Sequence, residues 1–321
     1  MNVNKKNMAN YLLDYGIVIV LILLFALFSI ISDRFFSTST FFTIMKQVAV
    51  TGIISVGMTF VMLTGGIDLS VGAIAGVTSV LAATFMVSGV PVLLACVLSI
   101  AVAIICGLLN GVCVTYLRIP PLIATLGVMT SLRGVAYLLS NGVPVYGFDK
   151  AVKSFAQGSL WVIPYPVILM IAVFIIGAFV LMKTSVGRYI YGVGGNEEAS
   201  RLSGVNVTKI KFLVYIISGF LAGIAGLVLL SRTNSGQPNA GSGYEMDAIT
   251  AVVLGGVNIN GGRGNIWLVI VGVIIMGTLS TGMVMNNIND YVQQVIKGLV
   301  LIGAVAFAQF SQKVKEKNVV V

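Results

Sequence analysis

The chain has 321 residues, of which 58% are hydrophobic and 9% are charged, and its formal net charge is +9. Soluble domains usually carry about 25% charged residues, so this composition excludes a water-soluble globule and indicates a surface that lies in lipid. The absence of histidine removes the commonest metal ligand and the commonest general base.

Long unbroken apolar runs fill most of the chain. Backbone groups in lipid must be hydrogen-bonded within the segment, so these runs predict helices, whereas a β-barrel needs alternation of polar and apolar residues. The cysteines, Cys96, Cys106 and Cys113, share one run and lack the paired spacing of a zinc or redox site. In a membrane protein a basic net charge is typical of cytoplasmic loops, and we expect no nucleic-acid partner.

Ten stretches have the length of a membrane span, which is about 20 mainly apolar residues. The first follows Lys5 and Lys6, and no small-residue cleavage site comes after it, so we interpret it as an uncleaved span. The fourth is long enough to be tilted or broken, and the eighth is short and rich in glycine. In chain order the predicted spans are 14–32, 45–64, 69–88, 90–117, 120–140, 162–182, 212–231, 246–260, 265–285 and 291–310.

The distribution of lysine and arginine predicts the orientation of these spans. With the N-terminus inside, the inner segments hold twelve of the 19 basic residues and the outer segments hold five, while Arg133 and Lys297 fall within spans. An error of one span would move the basic loop 183–211 outside. We therefore expect a single-domain, all-α membrane protein with about ten transmembrane helices, cytoplasmic termini, and a cytoplasmic tail at 313–321.

A short sequence occurs twice in similar form, as LTGGIDLSVG at 63–72 and as VLGGVNINGG at 253–262. The offset is 190 residues, and each copy joins two apolar spans at the predicted inner side. Weak internal repeats with glycine-broken helices often mark the path of a transporter, but glycine-rich turns also resemble one another by chance. The matched positions are Gly65 and Gly255, Gly66 and Gly256, Asp68 and Asn258, and Ser70 and Asn260.

The inner loop 183–211 contains a short helix signal in the sequence GGNEEASRLSG. Asn196 is a good N-cap, Glu197 lies four residues before Arg201, and glycine ends the pattern. A helix of about two turns is marginal alone, so it either lies on the membrane surface or docks on another subunit. The helix with its caps comprises Asn196, Glu197, Glu198, Ala199, Ser200, Arg201, Leu202, Ser203 and Gly204.

Several long motifs resemble those of permease subunits of bacterial ABC sugar importers, and the ribose-type branch is the nearest. The motifs are VGMTFVMLTGGIDLSVG, PPLIATLGVMTSLRG, SNGVPV, GRYIYGVGGNEEASRLSGVNVTKIK and SGQPNAGSGYEMDAITAVVLGGVNINGGRG, and the resemblance covers roughly residues 35–310. It implies two permease copies around a central pathway and an external sugar-binding protein. It also implies a coupling helix, here residues 196–204, that inserts into a cytoplasmic ATPase subunit.

The chain lacks an ATP-binding motif of its own, because a P-loop requires a Gly-Lys dipeptide and none occurs. We therefore expect no cofactor in this chain and expect ATP and Mg²⁺ to bind a partner ATPase. The resemblance implies alternating access for a monosaccharide, ribose or a related pentose. A self-sufficient secondary transporter or channel is the alternative; an intramembrane enzyme would need paired catalytic groups that the chain lacks.

Polar residues within spans are costly and therefore are candidates for function. Asp68 either caps a helix or contacts the pathway, and Arg133 either pairs with a carboxylate, lines the pathway or lies near the outer surface. Lys297 follows Gln293 and Gln294 by four and three residues, which is helical spacing. These three residues either line a water-accessible face or extend to the membrane interface. Asparagines in spans contact sugar hydroxyls or serve helix packing. The remaining candidates are Asn110, Asn258, Asn260, Gln293 and Gln294.

Two acidic residues, Glu245 and Asp247, lie near the outer side in the sequence GYEMDA. They either meet a basic edge of the binding protein or are solvated anchors at the bilayer surface. A stripe of small residues, Gly219, Gly223 and Gly226, predicts close helix packing in the seventh span.

Overall fold

The computed structural model describes residues 2–32, 34–148 and 150–319, with side chains in 16–32, 34–148 and 152–310. These residues form 13 helices and one two-stranded ribbon. The helices are α1 (Asn2–Ile31), α2 (Thr38–Leu63), α3 (Val71–Val87), α4 (Val92–Thr115), α5 (Pro121–Ser140), α6 (Lys150–Gln157), α7 (Tyr165–Lys183), α8 (Ser185–Gly195), α9 (Glu197–Leu202), α10 (Val207–Thr233), α11 (Tyr244–Leu254), α12 (Ile266–Met285) and α13 (Asp290–Val319). The strands β1 (Ser159–Leu160) and β2 (Ile163–Pro164) pair antiparallel.

The expectation of an all-α membrane protein is confirmed, and the spans differ in length. Seven of the described helices are long and apolar enough to cross a bilayer: α2, α4, α5, α7, α10, α12 and the Asp290–Phe310 part of α13. The apolar part of α1, Gly16–Ile31, and helix α3 are shorter. Helix α11, which corresponds to the predicted span 246–260, has 11 residues and ends at Leu254. Non-helical segments before α3 and on both sides of α11 supply the rest of the length that a membrane crossing needs.

Helix α10 is the centre of the fold, and it packs against α2, α3 and α4. Small residues make this possible, because a Cβ at Gly219 would lie 2.6 Å from the Ala103 carbonyl oxygen of α4. On the side facing α3, a Cβ at Gly226 would lie 3.0 Å from the Cα of Ala75. The predicted glycine stripe is therefore confirmed as a packing surface that lets backbones approach closely.

The peripheral helices expose most of their surface. Only 22% of the α5 span and 6% of the Asp290–Phe310 span are buried within the chain. The predicted fourth span is a single continuous helix, α4. Helix α13 continues to Val319 through most of the predicted tail, and residues 320 and 321 lie outside the described residues.

One end of the bundle carries α8 and α9, and we call it the α9 end. The last turns of α2 and α11 and the first turn of α12 meet there, since the Gly262 amide donates to the Leu63 carbonyl and the Tyr191 hydroxyl donates to the Gly264 carbonyl. The opposite end carries α6 and the β1–β2 ribbon, which lie between α5 and α7.

Candidate functional site

The short helix predicted in loop 183–211 is present as α9. The Asn196 side chain accepts a hydrogen bond from the Ala199 amide at 2.9 Å, and Gly204 has the left-handed φ of 83° expected after a helix end. Arg201 pairs with Glu197 at 3.2 Å and with Glu198 at 3.3 Å. These local interactions hold a helix that would otherwise be too short to persist.

Helix α9 is fixed to the body of the protein on one side and open on the other. The Lys211 ammonium of α10 donates to the second Glu197 oxygen at 2.6 Å, and Ser200 is buried. On the open side Ala199 is exposed and Leu202 is 82% exposed. A single exposed leucine is common on protein surfaces. Here Ala199 and Leu202 lie three residues apart, so they share one face of α9 and give a helix that is held in place a small apolar face.

Helix α8 leads directly into α9 and has no counterpart among the predicted elements. It begins at the N-cap Thr184, whose hydroxyl accepts from the Gly187 amide at 3.3 Å. The Tyr191 hydroxyl donates to the Gly264 carbonyl at 3.0 Å, and burial raises the pKa of Tyr191, which keeps the phenol protonated as a donor. Near its end, Gly194 lies against Leu63 and Gly262, and a Cβ there would overlap the Leu63 carbonyl oxygen.

The two copies of the repeated sequence, which we call the first turn (63–72) and the second turn (253–262), share a side-chain turn and a left-handed glycine after the preceding helix. The Asp68 carboxylate accepts from the Ser70 amide at 3.0 Å, and the Asn258 side chain accepts from the Asn260 amide at 2.9 Å. The helix before each turn ends on a glycine with φ of 78°. These glycines are Gly65 and Gly256. The sequence separation between the two copies is therefore one residue longer at the helix ends than at the side-chain turns.

The first turn is buried, and its carboxylate connects three helices. Asp68 is fully buried, and it accepts from the Ser70 hydroxyl at 2.6 Å, the Ser218 hydroxyl of α10 at 2.7 Å and, more weakly, the Asn110 amide of α4 at 3.4 Å. Asn110 also donates to the Ser70 hydroxyl at 2.7 Å. Asp68 thus closes a side-chain turn just before α3, whose N-cap residue is Ser70, and is the centre of a polar network inside the bundle.

The second turn lies nearer the surface. Asn260 is exposed and Asn258 is partly exposed, while Gly255 is buried against α12, where a Cβ would lie 2.7 Å from the Cα of Val269. The turn contacts the first one directly, since the Gly262 amide donates to the Leu63 carbonyl at 2.9 Å. The two repeated segments therefore meet at the α9 end, with the end of α8 packed against both.

The crossing between α10 and α11 is not helical over its first half. Residues 234–243 run back into the bundle along α3, where a Cβ at Gly76 would lie 2.5 Å from the Ala240 carbonyl oxygen. Gly72 is packed against both the Gly241 carbonyl and the Glu245 carboxylate, so this groove of α3 accepts only glycine. Non-helical backbone at membrane depth is stable only where protein buries it or a polar cavity solvates it.

Helix α11 begins inside the bundle and carries two carboxylates in its first turn. Glu245 pairs with Arg133 of α5 at 2.9 Å, and Asp247 pairs with Lys297 of α13 at 2.8 Å. Arg133 lies seven residues before the end of α5 and Lys297 seven residues after the start of α13, which is about 10 Å along each helix. The two ion pairs hold the start of α11 between α5 and α13, the two least buried of the seven long spans.

The buried position of these carboxylates bears on the predicted docking role. Glu245 and Asp247 are 5% and 8% exposed, and both are paired within the chain, so neither is a solvated anchor. Docking of the binding protein at these two residues stays a prediction without support from their placement. Of the two glutamines near Lys297, Gln293 is buried and donates to the Ile288 carbonyl, and Gln294 is exposed.

Several residues of these sites could not be found from the sequence pattern. Ser218, Lys211 and Tyr191 contact partners far away in the chain, and nothing in their local sequence distinguishes them. Within the described ranges, no group of three or more cysteine and carboxylate side chains is placed to hold a metal ion.

The chain matches the family model described as branched-chain amino acid transport system / permease component over residues 40–305. It is 42% identical to the ribose import permease protein of Bacillus subtilis over 287 residues, which is 89% of each chain. It is 40% identical to the ribose import permease protein of Haemophilus influenzae over 92% of this chain and 93% of that one. It is 36% identical to the L-arabinose transport system permease protein of Escherichia coli over 94% and 92%. No solved structure gives a significant match.

Proposed function

Because the chain belongs to the branched-chain amino acid transport system / permease component family, we propose that it is the membrane-spanning subunit of an ABC importer for a pentose. Ribose is the proposed substrate, since two relatives of at least 40% identity are named ribose import permeases. The chain is a multi-pass protein of the inner membrane. The family description names amino acids, so the substrate class is part of what the experiment must test.

We infer ten crossings. Seven are the long helices, and the other three are α1, α3 and the broken crossing formed by residues 234–254. An even number places both termini on one side, and the excess of lysine and arginine identifies the α9 end as cytoplasmic. Helix α9 then projects into the cytoplasm.

The observation that carries the proposal is the held helix α9 with its exposed Leu202. A separate ATPase subunit, which binds ATP and Mg²⁺, would bind this helix. When the ATPase subunits close and open, the helix would move, and α8 would move with it against the two turns. The pathway would open alternately to each side between two copies of this chain. An external binding protein would deliver the sugar at the opposite end.

The experiment that tests the coupling role changes α9 without changing the membrane helices. The first variant combines Glu197→Arg with Glu198→Arg, and the second is Leu202→Ala, which keeps every α9 ion pair. The matched control is Leu299→Ala, which truncates a leucine that is 64% exposed on α13. We expect both α9 variants to insert normally but to lose ribose uptake and ATPase co-purification, and the control to behave as the original chain. Normal uptake and co-purification with both α9 variants would contradict the coupling role.

The broken crossing also fits a second function, a self-sufficient sugar transporter or channel, because discontinuous helices are common in secondary transporters. Vesicles that contain this chain alone distinguish the two. We expect no ribose flux until the ATPase, the binding protein and ATP are added. Ion-driven ribose flux by the chain alone would favour the second function, and ATP-driven uptake of leucine but not ribose would identify an amino acid importer.

A further inference from the structure

A cavity of about 80 Å³ lies between α3, α5 and the extended segment 234–243. Its polar lining comes from Arg133, Tyr137, Asn239 and Ser242. Arg133 and Tyr137 lie seven and three residues before the end of α5, so the cavity lies in the half of the bundle away from α9. Sugar that enters from outside would pass this depth first.

The polar side chains of this cavity have unused hydrogen-bonding capacity. The Tyr137 hydroxyl, the Asn239 side-chain amide and the Ser242 hydroxyl form no hydrogen bond to any other described residue, and all three residues are exposed in the single chain, Tyr137 to 48%. Arg133 uses one donor on Glu245 and remains 38% exposed. Polar groups at membrane depth without a partner in the protein require water or a ligand, and such residues mark transport paths.

The charges of the cavity favour a neutral ligand. The Arg133 guanidinium is paired with the Glu245 carboxylate, and this pairing weakens its electrostatic attraction for a second anion. A guanidinium still has free N–H donors, an amide offers both a donor and an acceptor, and hydroxyls offer both. This set matches the hydroxyl groups of a sugar. A zwitterionic amino acid would need additional partners for its carboxylate and its ammonium group, and the lining residues include neither a free carboxylate nor an unpaired cation.

We propose that this cavity is a sugar-contact site, in which Arg133, Tyr137, Asn239 and Ser242 bind hydroxyl groups of the pentose as it leaves the binding protein. The proposal rests on the proposed function and adds the location of a contact. Its bonds to the sugar are few, and only the bond from Arg133 is charge-assisted, which allows the sugar to bind and leave again.

The test uses vesicles with the complete transporter, composed of this chain, the ATPase and the binding protein. Initial uptake of D-ribose and of L-arabinose is measured at saturating loaded binding protein, together with ATP hydrolysis. The variants are Asn239→Ala and Tyr137→Phe, and the matched control is Tyr146→Phe, whose hydroxyl lies in the exposed outer loop. Tyr137→Phe removes a single hydroxyl, so it tests the site even if Asn239→Ala lowers the yield of folded protein.

We expect each cavity variant to lower D-ribose uptake by about fivefold to tenfold, as for the loss of one hydrogen bond or two, with ATP hydrolysis retained. We also expect the ratio of ribose to arabinose uptake to change, because the two sugars differ in their hydroxyl configuration. A purely structural role would lower both uptakes equally. Unchanged rates and an unchanged ratio in both variants, with a transporting original chain, would overturn the site alone; absence of ribose uptake by the original complex would overturn the proposed function.

A second readout separates sugar from a second copy as the occupant of the cavity. Asn239→Cys is introduced after the three native cysteines are replaced by serine, and labelling with a water-soluble thiol reagent is followed. We expect D-ribose to slow labelling and L-leucine not to. Resistance to labelling together with a disulfide between two copies would show that a second copy covers the cavity, and would overturn the proposal.

Discussion

The two turns of the repeat share one side-chain hydrogen bond and have opposite surroundings. In the first, the Asp68 carboxylate is fully buried and reaches α4 and α10. In the second, Asn258 is partly exposed, and its side-chain oxygen bonds only to the Asn260 amide among the described residues. The same side-chain turn therefore stabilises a polar network in one copy and a local bend in the other.

This difference shows how a repeat can diverge while its turn is kept. An acceptor at the first turn position suffices for the bend, and asparagine or aspartate supplies it. Only a carboxylate has the lone pairs to accept from four donors, which the first turn requires because it lies inside the bundle. The acceptors at positions 68 and 258 therefore differ in how many hydrogen bonds they must accept because of their burial, and not because of the turn itself.

The sharpest test of the comparison is Asp68→Ala. It leaves the Ser70 amide and the Ser70 and Ser218 hydroxyls without their acceptor, while the Asn110 amide keeps its bond to the Ser70 hydroxyl, and each buried unpaired group costs about 1–3 kcal/mol. Since the hydroxyls can turn to backbone carbonyls, we expect a loss of about 3–5 kcal/mol. Thermal unfolding in detergent measures it. Asp68→Asn keeps one acceptor oxygen, so a cost as large as that of alanine would contradict the network.

The second test concerns the helix that leads to the second turn. Lys297→Met leaves Asp247 buried without a cation, and breaking a buried pair in this way costs about 3 kcal/mol. The double variant Lys297→Met with Asp247→Leu should recover most of that loss, because it removes both charges. The unfolding temperatures of Lys297→Met, of Asp247→Leu and of the double variant give the coupling between the two residues. Equal temperatures would show that the pair does not hold α11.

The third test concerns the place where the two turns meet. Gly194→Ala puts a methyl group onto the Leu63 carbonyl and the Gly262 amide, and overpacking of this kind costs about 1–3 kcal/mol. We also expect it to lower sugar uptake per ATP hydrolysed, since it displaces α8 from both turns. Gly195→Ala is the matched control, because a Cβ at Gly195 meets no atom within 4 Å. Equal behaviour of the two variants would contradict direct packing of α8 on the turns.

The sequence predicted the parts of the molecule that local interactions determine. Helix α9 is one example, because Asn196, Glu197 and Arg201 lie within one or two turns of one another. The turn at Asp68 is another, since its partner amide is two residues away. The repeat was visible for the same reason, as both copies keep the acceptor and the glycines.

Contacts between distant residues could not be predicted. Asp68 and Ser218 are 150 positions apart, and no pattern in the sequence connects them. The broken crossing was missed because the apolar run 246–260 has the composition of a span, while its helix depends on the groove at Gly72 and Gly76. Helix α8 was missed because Gly192, Gly194 and Gly195 lower helix propensity, which packing on the two turns overrides.

The smallest effect is expected for a substitution in the second turn. Asn258→Ala removes one side-chain bond to the Asn260 amide, and the partly exposed turn lets water replace it. We therefore expect a loss of about 0.5–1 kcal/mol, measured by thermal unfolding beside Asp68→Ala. A loss as large as that of Asp68→Ala would show that the second turn has buried partners of its own in the assembled transporter. In that case the two turns would be equal in the complex, and the difference seen in the single chain would reflect the absence of the subunit that covers the second turn.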